Sequence, residues 1–208
     1  MTYYCPPSER ISLGFVAFSF ALSGMAGGVA ALVALQSHGG LAAVILVAIV
    51  FLIAHMLAAS SLRIPWLGRF GIGIANCFGM IGSFPPFIGT QAMKGNETFA
   101  DLFVPFAVWF VVAFLVASAF GLSTLQKYGW TVMGFGILGY CAGAAANGAL
   151  VALSYSLTFA GKPIGTLLFV PFFILPGLCG CIGLAIALNR KTNNESLLTQ
   201  QTQKGDCQ

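Results

Sequence analysis

The chain has 208 residues, 58% of them hydrophobic and 7% charged, with nine Lys and Arg against five Asp and Glu and a mean hydropathy of +0.92. A water-soluble domain is about one quarter charged, so a surface this poor in charge faces lipid, and the chain reads as an integral membrane protein. The same scarcity excludes a nucleic-acid binder, since the basic residues stand singly and form no stripe along which phosphates would be neutralised.

In chain order, residues 1–10 read as a cytoplasmic N-terminal segment. Cys5, Pro6, Pro7 and Glu9 stand where a cleavable signal would carry basic residues, so the first apolar run is expected to be retained. Six runs are long enough to cross about 30 Å of hydrocarbon as helices, at roughly 11–36, 41–62, 69–91, 102–124, 129–153 and 164–188. Short connections join them, and the polar, Gln-rich stretch 189–208 reads as a disordered cytoplasmic tail. The expected fold is therefore all-α, with six transmembrane helices in one domain, 11–188.

Alternate connections share out the basic residues unevenly. Arg10, Arg63, Arg69, Lys127, Arg190, Lys191 and Lys204 fall on one side, and only Lys94 and Lys162 on the other. That bias puts both termini in the cytoplasm, and an even number of spans requires them to share a side.

All 14 charged residues lie outside the spans or at their ends, which disfavours a pump built on an intramembrane carboxylate. Paired acids and a Ser/His/Asp set are equally missing, so the chain is not expected to be an enzyme. None of the six cysteines forms a Cys-x-x-Cys pair, and they read as small core residues, with no metal or cofactor implied. His55 is the one histidine at depth, and a lone one there commonly hydrogen-bonds a neighbouring helix. Neutral polar residues, among them Ser23, Asn76, Ser83, Ser118, Thr131 and Asn147, are placed to line a path for a small polar solute or a weak anion. Many of the 26 glycines cluster at helical spacing, which permits close helix packing. Pro85, Pro86, Pro105, Pro171 and Pro176 each remove an N–H and free a carbonyl about one turn earlier, and Phe84-Pro85-Pro86-Phe87 is predicted to break the third helix.

Three stretches resemble the acetate uptake transporter family, the succinate–acetate permease type. They are Pro6-Pro7 followed by Ser12-Leu13-Gly14-Phe15-Val16-Ala17-Phe18, Phe70-Gly71 followed by Phe78-Gly79 in the third span, and Trp109 with Leu125-Gln126 further on. The resemblance implies a homo-oligomer, a hexameric ring, in which each protomer has its own pore for a small carboxylate across the plasma membrane. It implies a constriction of Phe18, Phe78 and Val132; Asn76 and Thr131, next to these positions, are candidate polar contacts for a carboxylate, and His55 is a candidate for proton coupling. Such an apolar ring acts as a dry gate, raising the cost of a hydrated anion. Two other readings stay open: a non-transporting membrane subunit of a larger complex, and a channel for a neutral solute such as urea, ammonia or water.

Overall fold

The computed structural model describes residues 10–36, 40–83, 99–159 and 172–205. These form six α-helices: α1 (Leu13–Gln36), α2 (Gly40–Ala58), α3 (Trp66–Gly82), α4 (Phe99–Leu122), α5 (Trp130–Phe159) and α6 (Leu175–Gly205). No strand occurs among the described residues. The expected break at Phe84-Pro85-Pro86-Phe87 lies outside them, as do Lys94 and Lys162.

Each helix packs on the next, and α6 packs back on α1, so the six close into a ring. Short 3-10 segments, Ala59–Leu62 and Ser123–Tyr128, turn the chain between α2 and α3 and between α4 and α5. Gly129 ends the second of these at φ 101°, a conformation that side-chain-bearing residues rarely adopt, and α5 starts at the next residue.

Among the described residues, four helices are both long and apolar enough to span a membrane, over Leu13–Ala31, Ile45–Leu62, Phe99–Tyr128 and Trp130–Leu157. Parts of the other two expected spans, 84–91 and 164–171, lie outside the described residues. With 17 residues, α3 rises about 25 Å at 1.5 Å per residue. In α6 the apolar stretch ends near Leu188, and the rest of the helix is polar. The helix is continuous to Gly205. Its first polar turn is anchored: Asn189 Nδ2 donates to Ile11 O at 2.9 Å, and Ile11 N donates to Asn189 Oδ1 at 2.8 Å. Two residues on, Lys191 Nζ donates to Tyr128 O at 3.2 Å.

These contacts, with those of Ala59–Leu62 to α1, α3 and α6, gather Arg10, Arg63, Arg69, Lys127, Arg190 and Lys191 at one end of the ring. The aliphatic and aromatic parts of that end help hold the cations, with the Arg190 guanidinium 5.3 Å from the Phe135 ring centre.

Candidate functional site: a polar cluster at the centre of the ring

Helical period decides what each helix turns inward. In α1 the buried residues Val16, Phe20, Ser23 and Ala31 share one face with Gly24, Gly27 and Gly28. In α3 the buried face includes Gly68, Ile72, Ala75, Asn76 and Gly79, and Leu67, Phe78 and Ile81 are exposed. Two residues along a helix turn the chain about 200°, so Phe18 stands opposite Phe20, and Phe78 opposite Asn76.

The three residues expected at the constriction differ in exposure. Phe18 is 67% exposed and Phe78 59% exposed, both on outward faces, whereas Val132 is 2% exposed at the start of α5. Thr131, beside Val132, is exposed and distant along the helix from the other polar residues. Asn76, at 1% exposed, and Phe78 two residues on therefore lie on opposite faces of α3.

Asn76 and His55 are brought together. The imidazole of His55, fully buried, lies under the Phe51 ring at 4.1 Å between centres and beside Phe20 at 5.9 Å. Its Nδ1–H donates to Phe51 O at 2.9 Å, one turn back in α2. Since a carbonyl only accepts, the proton sits on Nδ1 and Nε2 carries the lone pair, which has no hydrogen-bond partner.

Asn76 spends both amide hydrogens, donating Nδ2–H to Ile72 O at 2.9 Å and to Tyr140 Oη at 2.7 Å. Tyr140, fully buried in α5, stands 3.7 Å from Cys181 Sγ through its hydroxyl and stacks on Phe114 of α4 at 6.1 Å between ring centres. The fit against α6 demands glycine. A Cβ on Gly177 would lie 2.6 Å from Asn76 Oδ1 and 3.1 Å from His55 Nε2, and one on Gly180 would lie 2.5 Å from the Tyr140 ring. All six helices thus contribute to one cluster: Phe20, His55, Asn76, Phe114, Tyr140 and the Gly177 to Cys181 turn.

A second polar point lies two turns along α5 from Tyr140. Phe172 is helical, Phe173 and Ile174 form a turn, and α6 begins at Leu175 with Pro176 following. Proline at 176 has no N–H to give Phe172 O four residues back, so that carbonyl loses its helical donor. Asn147 Nδ2 replaces it at 2.8 Å, while Asn147 Oδ1, also fully buried, has no partner.

Sequence reasoning missed Tyr140, Gly177, Cys181 and the pairing of Asn147 with Phe172. Two signals were present: Tyr140, Ala144, Asn147 and Val151 stand at helical spacing, and Pro176 marks the carbonyl it frees.

No protein family, curated protein or solved structure was found to match the chain.

Proposed function

We propose that the protein moves a small solute across a membrane through the centre of its helix ring, with small monocarboxylates such as acetate as the substrate class the family resemblance implies. The observation that supports this reading is the polar cluster itself. Four helices bring His55, Asn76, Tyr140 and Cys181 together inside a chain whose outer faces are apolar, and polar groups in such a setting are retained against a desolvation cost. In the conformation described, Phe20, Phe114 and Tyr140 close the centre, and passage requires α6 to draw its glycine face away from Asn76 and His55. The end bearing Arg10, Arg63, Arg69, Lys127, Arg190 and Lys191 faces the cytoplasm in this reading, with six spans and both termini inside. The protomer assembles with copies of itself, and the outward rings of Phe18 and Phe78 face lipid or a neighbouring copy.

Uptake of labelled acetate into proteoliposomes at about pH 5, where a share of a carboxylic acid is still protonated, tests the proposal. Uptake that exceeds protein-free vesicles, saturates, and drops for Asn76→Leu but not for Phe18→Ala is expected. Uptake equal to that of protein-free vesicles overturns it, and copurification with a fixed set of other chains then points to the subunit reading. The neutral-solute reading is favoured by one specific observation, the chemistry of the atoms left unpartnered.

A further inference from the structure

Among the described residues, two buried side-chain N or O atoms have no hydrogen-bond partner, His55 Nε2 and Asn147 Oδ1, and both are acceptors. Most of the buried side-chain donors among the described residues are engaged elsewhere. The hydroxyls of Ser23, Ser61, Ser83 and Ser118 each donate to a carbonyl about one turn back in the chain. Both amide hydrogens of Asn76 are engaged, and one of Asn147's is held by Phe172 O. An unpaired buried acceptor costs about 1–3 kcal/mol, so each is a place where an incoming donor gains more than it would at a satisfied site.

Resting on the conduction reading above, we infer that the species passing through the ring is an uncharged hydrogen-bond donor, a small undissociated carboxylic acid or primary amide, seated at two acceptor stations, Asn147 Oδ1 and His55 Nε2. A carboxylate anion finds no match. It needs several donors to replace its water, and among the described groups of the cluster only the second amide hydrogen of Asn147 and one hydrogen of the Tyr140–Cys181 pair are left to offer. A bare alkali cation is equally unsuited, since one oxygen at Asn147 and one nitrogen at His55 do not make an oxygen cage.

The two stations lie on one track. Asn147 and Tyr140 are seven residues apart on the buried face of α5, about 10 Å of rise, and Tyr140 is hydrogen-bonded to Asn76 beside His55. From α6 the Phe173–Ile174 turn faces the first station and Gly177 the second. Gly24 of α1 packs against Phe173 O and Ile174 and Gly143 of α5 against Leu175 O, so the turn in the sixth segment sits inside the ring. Broken helices at such depth are tolerated where they are buried in protein or line a path.

Acetamide and acetate are near-isosteres that separate the two chemistries. Their fluxes into proteoliposomes of the full chain, each corrected for protein-free vesicles, are compared at about pH 8, where acetate is ionised. Saturable acetamide flux with acetate flux at the protein-free level is expected, and acetate entry returning as pH falls adds the undissociated acid. Asn147→Leu and His55→Phe should each lower acetamide flux about tenfold, the factor equivalent to about 1.4 kcal/mol. Wild-type selectivity stands without these variants, so a variant that fails to fold does not decide the matter. Ionised acetate crossing as fast as acetamide overturns the inference and leaves conduction standing. Flux of neither solute above protein-free vesicles removes both.

Discussion

Glycine does different work on the two sides of the ring. Where α1 meets α2, Gly27 makes room for the ring of Phe51, a side chain that fills a slot. Where α5 meets α6, Gly139 and Gly183 face the backbone carbonyls of Cys179 and Phe135, and Gly143 faces Leu175 O, so two backbones touch directly. An aromatic ring can rotate to admit a methyl group, whereas a helix backbone moves only as a whole. The α5–α6 seam is therefore the rigid side, and it is the side that carries Tyr140, Asn147 and Cys181.

The largest expected effect comes from adding one carbon at that seam. Gly139→Ala should destabilise the protein by about 3 kcal/mol in a detergent unfolding titration, against about 1–2 kcal/mol for Gly27→Ala, where Phe51 can yield. Gly134→Ala, with nothing within 4 Å of its Cβ position, should be neutral or slightly stabilising through helix propensity. Equal losses at all three positions would erase the distinction between backbone and side-chain contact.

Next in size is the polar side of the seam. Asn147→Leu leaves Phe172 O without a donor and should cost about 2 kcal/mol. Pro176→Ala restores an N–H four residues after Phe172, so in the Asn147→Leu background it should recover most of that loss. A double-mutant cycle with no coupling would show that Asn147 does not stand in for the missing proline N–H. Tyr140→Phe removes the acceptor for one Asn76 hydrogen and should cost about 1 kcal/mol.

The smallest expected effects lie on the outer faces. Phe18→Ala and Phe78→Ala should each shift stability by no more than about 0.5 kcal/mol in detergent and leave uptake unchanged. A loss of transport at either position without unfolding would return the gate to those rings.

The helices were largely legible in the sequence because apolar length is a local property. Runs at 11–36, 41–62, 102–124 and 129–153 correspond to α1, α2, α4 and α5, the four helices able to span. The ends of α3 and α6 were less so. In α6 the helix persists past Leu188, and its first polar turn is tied by Asn189 to Ile11, a contact 178 residues distant that no local pattern announces. Within the site, His55 and Asn76 were picked out as polar residues at depth, and they do meet. Phe18 and Phe78 rest on motif position alone, and at 100° per residue Phe78 falls on the face of α3 opposite Asn76. Tyr140 escaped notice because its role depends on Asn76 and Cys181, each 41 or more residues away.

The ring closes between the first helix and the last, and this orders its assembly. During synthesis α1 can pair with α2 early, but the surfaces at Gly24 and Gly28 that receive Phe173 stay open until the sixth segment is made. At about 5–20 residues per second that interval is on the order of ten seconds. Throughout it, Asn76 lacks Tyr140, and His55 and Asn76 both lack the cover of Gly177. A nascent chain in this state leaves His55 and Asn76 uncovered until α6 arrives. Chains truncated before residue 172 should for that reason be recognised and degraded as unfinished, even though their first helices are apolar enough to stay in the membrane.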